Sequence, residues 1–94
     1  MLMISSFACS DTEAFFRGRR VARFVNIERA AMRKLQMLDA ATSVGYLRIP
    51  PNNRLEKLCG GLAGRYSIRI NSQWRICFGF EAGHAIDVEI IDYH

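Results

Sequence analysis

Tyr66-Ser67-Ile68-Arg69-Ile70, Trp74-Arg75-Ile76-Cys77-Phe78-Gly79-Phe80 and Ile86-Asp87-Val88-Glu89-Ile90 each alternate apolar and polar side chains. A period of two is the signature of a strand with one face buried and one wet, which antiparallel sheets tolerate. The connections are short, so the three runs form a meander. Asn71-Ser72-Gln73 reads as a three-residue loop that sets Arg69 opposite Arg75. Glu81-Ala82-Gly83 reads as a second, with Gly83 supplying the left-handed residue such loops favour. That register sets Arg75 opposite Glu89 and Cys77 opposite Asp87. Tyr66, Ile68, Ile70, Trp74, Ile76, Phe78, Phe80, Ile86, Val88 and Ile90 form the core wall. Ser67, Arg69, Arg75, Cys77, Asp87 and Glu89 occupy the solvent face.

Upstream of the meander the period changes. Ile27, Ala31, Leu35 and Leu38 make one apolar stripe, with Ala30 and Ala41 beside it, and Asn26 stands as its N-cap. Glu28, Arg29, Arg33, Lys34 and Gln36 fall away from the stripe. Ser10-Asp11-Thr12-Glu13 fits a capping box for an earlier helix that Gly18 ends. Residues 3–7 read as an opening strand and residues 55–58 as another. Residues 42–53, with Pro50-Pro51-Asn52-Asn53, read as an irregular connection. The order, strand, two helices and then a β-meander, makes an α+β domain.

The chain has 94 residues, room for one domain over residues 1–94 and not two. Half of it is hydrophobic and 23% is charged, ordinary globular composition that argues against disorder. No apolar run approaches the roughly 18 residues of a membrane helix, and the start lacks the basic region of a secretory signal. Three cysteines without a C-x-x-C pair suit neither a disulfide framework nor a zinc site, so the expectation is a reducing, cytoplasmic setting with no metal or cofactor. Residues 17–34 carry seven basic side chains against one acid, and residues 48–75 carry six against one. Residues 81–94 carry four acids and no Lys or Arg. Eleven of the thirteen basic residues are Arg, whose planar fork grips phosphate or carboxylate with two parallel hydrogen bonds. A polyanion or an acidic protein is the expected partner, against the plainer reading of a solvated basic face.

Two arginines directly opposed on a sheet repel, and neither can shed its proton. Arg69 and Arg75 on one rigid face therefore suit a phosphate. The ordinary alternative is a surface ion-pair cluster with Glu89 and Asp87.

Three segments carry a resemblance: Leu55-Glu56-x-Leu58-x-Gly60, Gly64-x-Tyr66-Ser67-Ile68-Arg69-Ile70-Asn71-x-Gln73-Trp74-Arg75-Ile76, and the closing Asp92-Tyr93-His94. Together they resemble the HigB branch of the RelE/ParE toxin superfamily, over nearly the whole chain. The resemblance implies helices packed on a curved, mainly antiparallel sheet. It implies a ribosome-dependent, metal-independent mRNA endonuclease that leaves a 2′,3′-cyclic phosphate. It also implies a helix-turn-helix, HigA-like antitoxin, with operator DNA reached only through that partner. Arg75 matches the family's phosphate-gripping arginine, Tyr93 and His94 its C-terminal pair, and Asp92 its acid. Glu56 stands where some relatives have a His and is the candidate base. Arg69 fits a second phosphate contact, and Arg54, Lys57 and Arg65 are further RNA contacts around the glycine loop. An imidazole, with an ordinary pKa of about 6.5, makes His94 the best acid–base candidate. The chain departs from the family at Leu58-Cys59-Gly60-Gly61, where relatives often have L-K-G-D. Losing that Lys at Cys59 is expected to weaken cleavage.

Two other function classes remain open on the sequence. One is the non-enzymatic, gyrase-poisoning branch of the superfamily, against which the Arg75, Tyr93 and His94 set argues. The other is a decayed toxin kept as an antitoxin-binding module, which Cys59 favours.

Overall fold

The structure, a computed structural model, describes residues 4–57 and 64–92. Helix α1 spans Ser10–Phe16 and helix α2 spans Glu28–Ala40. Four strands follow: β1, Glu56–Lys57; β2, Arg65–Arg69; β3, Trp74–Glu81; and β4, His84–Asp92. They form one antiparallel sheet in the order β1-β2-β3-β4. The helices pack on one face of it, so the architecture is α+β.

The apolar stripe of α2 is buried as its spacing requires: Ile27, Ala31, Leu35, Leu38 and Ala41 all lie in the core. They meet Ile68 of β2, Ile76 and Phe78 of β3, and Val88 and Ile90 of β4. Phe24 bridges the layers, edge-on to both Phe15 and Trp74 at 5.6 and 5.7 Å between ring centroids. Aromatic pairs at that separation add about 0.5–1.5 kcal/mol beyond their burial. Lys34 departs from the expectation that it would face water. It is buried, and its ammonium donates to the Asn53 side chain, which in turn donates to the Leu47 carbonyl at 3.1 Å. The contact ties α2 to the connection that precedes β1.

Neither expected cap forms. Ser10 is the first residue of α1 rather than its cap, Cys9 precedes it, and Glu13 pairs with Arg17 instead at 3.0 Å. Asn26 lies inside a 3₁₀ turn, Ala22–Ile27, that runs directly into α2 and leaves no cap position for it. Gly18 does end α1, at φ +96°, where its amide donates to the Phe15 carbonyl. Residues 42–53 also hold two further 3₁₀ turns, Val44–Arg48 and Pro51–Asn53. The opening segment makes isolated parallel bridges at Ile4 and Phe7 to β4. Of the expected strand over residues 55–58, Glu56–Lys57 is a strand, and Leu58 lies outside the described residues.

The register between β3 and β4 differs from the sequence reading. The turn has two residues, Ala82 and Gly83, both at positive φ, so Glu81 pairs with His84. His84 thus begins β4. A bulge follows, with Asp87 at φ +50°, and it shifts the remaining partners. Arg75 lies opposite Ile91, not Glu89, and Cys77 lies opposite Glu89, not Asp87. The bulge also exchanges two side chains. Ala85 takes the core position, and half-buried Ile86 moves to the polar face against Gly79. A methyl on Gly79 would sit 3.0 Å from the Ile86 side chain, which would have to shift to admit it. Ser6 pins the bulge, its hydroxyl accepting from the Asp87 amide at 2.8 Å. Cys9 is a free thiol, whereas Cys77 is disulfide-bonded, a departure from the reading of three reduced cysteines.

Candidate active site

Strand alternation sets Arg65, Ser67 and Arg69 of β2 on the same face as Arg75, Cys77 and Gly79 of β3, away from the helices. Glu56, opposite Ser67 on β1, joins them at the sheet edge. The expected pairing of Arg69 with Arg75 is present in the register. The two side chains avoid each other by diverging. Arg69 curls back so that its Nε donates to the Asn71 carbonyl at 3.1 Å. Arg75 runs the other way, across β2 toward β1.

Arg75 is the centre of the arrangement. It was expected on the solvent face; it is on that face of the sheet, yet only 6% exposed. Its Nε donates to the Ser67 hydroxyl at 2.9 Å, and its Nη2 donates to the Arg54 carbonyl at 2.6 Å. Nη2 also lies 3.6 Å from a Glu56 carboxylate oxygen. The cover comes from far along the chain, which a two-residue period cannot reveal. Arg54 adopts the left-handed conformation at φ 47°, ψ 59°, immediately after the Pro51–Asn53 turn. Such a conformation costs a non-glycine residue on the order of 1 kcal/mol. Here it delivers a carbonyl to the guanidinium. The turn is held in turn by buried Asn53, with Lys34 behind it.

The other candidates divide between the two faces. Arg65 lies on the polar face and donates to the Asp87 carbonyl of the bulge at 2.9 Å. Arg54 contributes its carbonyl, and its residue is exposed beside Glu56. Lys57 pairs with Tyr66 and so sits on the opposite face from Arg75, beside a recess it lines with Arg48 and Leu55. Asp92 pairs with Trp74, again on the opposite face, and accepts from the Gln73 side chain at 3.1 Å. Tyr93, His94 and Cys59 lie outside the described residues. Sequence reasoning placed Ser67 on this face without giving it a role; as the buried acceptor that fixes Arg75, it belongs to the site. Asn53 and Lys34, which support the Arg54 turn, carry no local signal. No group of three or more metal-binding side chains forms among the described residues.

The chemistry available is electrostatic. A guanidinium held by a hydroxyl and a carbonyl is oriented before any ligand arrives, and a carboxylate stands next to it at an exposed edge. Such a pair suits an anionic group that gains charge during reaction, with the carboxylate as proton acceptor.

The family model described as RelE-like toxin of type II toxin–antitoxin system HigB matches residues 6–94. Toxin HigB-1 of Vibrio cholerae is 44% identical over 77 residues, covering 80% of this chain and 81% of that protein. Endoribonuclease HigB of Proteus vulgaris is 38% identical over 61 residues, covering 65% of each. An uncharacterised protein of Haemophilus influenzae is 39% identical over 56 residues, covering 60% of this chain and 55% of its own.

Proposed function

The chain belongs to the HigB family of RelE-like toxins of type II toxin–antitoxin systems, and from that premise we propose that it is a ribosome-dependent mRNA endonuclease, acting as a single domain over residues 1–94 in the cytoplasm. The observation that carries the reading is Arg75, buried and oriented on the polar face with the Glu56 carboxylate 3.6 Å away. The proposed reaction is transesterification. The ribose 2′-oxygen forms a bond to the adjacent phosphorus and gives its proton to a base. The bond from phosphorus to the 5′-oxygen breaks, and that oxygen takes a proton from an acid. The products are a 2′,3′-cyclic phosphate and a 5′-hydroxyl. Arg75 stabilises the added charge on the phosphorane, and Glu56 accepts the 2′-proton. Tyr93 and His94 supply the proton to the leaving oxygen, by the family resemblance. Arg65 and Arg69 hold flanking phosphates. The roles a metal would fill in other nucleases fall here to guanidinium and imidazole groups, so no metal is required.

As a member of the family the chain has an antitoxin partner. We assign that partner to the helix-turn-helix, HigA-like class, and it is the partner through which operator DNA is reached. The test is a translation system assembled from purified components. Added protein should cut ribosome-bound mRNA, leave free mRNA intact, and yield fragments whose upstream ends carry a cyclic phosphate by mass spectrometry. Arrested growth with intact mRNA and altered DNA supercoiling would favour the gyrase-poisoning class instead. Antitoxin binding with neither effect would favour the decayed toxin.

A further inference from the structure

The helix layer carries a second charged feature, remote from the polar sheet face. A groove of about 720 Å³ runs between the end of α1 and the outer side of α2. Its floor is apolar, formed by Phe15 and Met32, and Arg19, Arg20, Arg29 and Arg33 stand around it. All four arginines are exposed. None makes an ion pair among the described residues, whereas neighbouring Arg17 and Arg23 are matched with Glu13 and Asp11. Glu28 is the one acid lining the groove, so the lining carries a surplus of three positive charges.

We propose that this groove seats an acidic, amphipathic segment of the antitoxin. The proposal rests on reading the chain as a toxin held by such a partner, and adds where that partner docks and by what chemistry. Two features favour a polypeptide over RNA. A phosphate backbone follows a continuous track of charge, but the centre of this groove is apolar and suits a buried Leu, Ile or Phe flanked by carboxylates. Arg29 and Arg33 are also four residues apart on one helix, about 6 Å along its axis. That spacing matches carboxylates at i and i+4 on a docked helix.

The experiment uses the full-length toxin and the antitoxin encoded beside it. Calorimetric titration of antitoxin into the parent and into the Arg29→Glu, Arg33→Glu variant gives the two affinities. Both positions are exposed, where substitutions usually change stability by less than about 0.5 kcal/mol; matching melting curves verify that the variant is folded. The expected result is at least a tenfold weaker antitoxin complex, with affinity for ribosomes programmed with 2′-O-methylated mRNA changed less than twofold. Restoration by acid-to-Lys changes in the antitoxin segment would identify the pairing directly. Antitoxin affinity within twofold of the parent would overturn the proposal, and so would a tenfold loss of ribosome affinity with antitoxin binding intact, which would make the groove an RNA surface. An antitoxin that binds neither protein would overturn the toxin–antitoxin reading and the groove with it, while mRNA cleavage, measured separately, would still stand or fall alone.

Discussion

Replacing Arg75 by Ala removes a guanidinium from inside a hydrogen-bonded network. Two acceptors lose their donor: the Ser67 hydroxyl at 2.9 Å and the Arg54 carbonyl at 2.6 Å. A buried polar group left unsatisfied costs about 1–3 kcal/mol, so the pair costs roughly 2–4 kcal/mol after partial rescue by water. For a domain of this size each kcal/mol lowers the melting temperature by about 4–8 °C, which predicts a fall of roughly 8–32 °C. Total stabilities of about 5–15 kcal/mol leave most of the variant folded at 20 °C, where its chemistry is measured. Losing a preorganised charge at a developing phosphorane costs about 10²–10³ in rate. Arg75→Lys keeps a positive charge but has no planar fork to span both acceptors. It should recover part of the melting temperature and little of the cleavage. The assays are thermal unfolding by circular dichroism and primer extension on ribosome-bound mRNA at 20 °C. An Ala variant that melts within about 2 °C of the parent would refute the network as a source of stability. A folded Ala variant that cuts at the parental rate would refute Arg75 as the phosphate-gripping group.

Gly79→Ala should lower stability by about 1–3 kcal/mol, because its methyl meets Ile86 at 3.0 Å, and adding Ile86→Ala should cost less than the sum of the two single changes; additive urea-unfolding energies would remove the packing argument. Burial, with Arg33 beside it, pushes Lys34 below its ordinary value of 10.5. The unfolded chain then holds that proton more tightly, so stability should rise with pH up to about 10.5 and the rise should vanish in Lys34→Met; parallel pH profiles of urea unfolding for the two proteins would contradict this. Deleting Tyr93 and His94 should abolish cleavage while antitoxin affinity stays within twofold, and cleavage by the shortened chain at the parental rate would take both residues out of the mechanism.

Alternation in β2 and β3 identified both strands, their facing and the pairing of Arg69 with Arg75, because each is a local property of a two-residue period. The bulge in β4 was invisible for a definite reason. Ala85 and Ile86 are both apolar, so Ile86-Asp87-Val88 reads as unbroken alternation although Ile86 has crossed to the polar face. The two-residue turn and the bulge each slip the register by one residue, and together they moved Glu89 from Arg75 to Cys77. The burial of Lys34 is hidden from the sequence on similar grounds. Its position on the helical wheel is adjacent to the apolar stripe, and its burial depends on Asn53, nineteen residues further on. The candidate site was legible as a list of chemical types but not as a geometry. Alternation and resemblance both pointed to Arg75, whereas the roles of the Ser67 hydroxyl and the Arg54 carbonyl in holding it depend on long-range placement that neither signal carries.

The three arginines on the polar faces of β2 and β3 share one habit. Arg65 donates to the Asp87 carbonyl, Arg69 to the Asn71 carbonyl and Arg75 to the Arg54 carbonyl. Around α1 the arginines do otherwise, pairing with carboxylates: Arg17 with Glu13 and Arg23 with Asp11. The difference matters because a carboxylate both orients and neutralises a guanidinium, while a carbonyl orients it and leaves its charge in place. Glu56 lies at 3.6 Å from Arg75 but is 54% exposed, so water screens much of that attraction. Burying a cation against neutral acceptors is unfavourable for stability compared with an apolar contact. It is favourable for catalysis, where a guanidinium already held in place does its work without reorganising as the phosphorane forms. The guanidiniums of this sheet face are thus oriented by main-chain carbonyls, and those carbonyls are positioned by the β4 bulge, the Asn71 loop and the left-handed turn at Arg54. A change that relaxes any of the three would disturb the charge arrangement without altering a single charged residue.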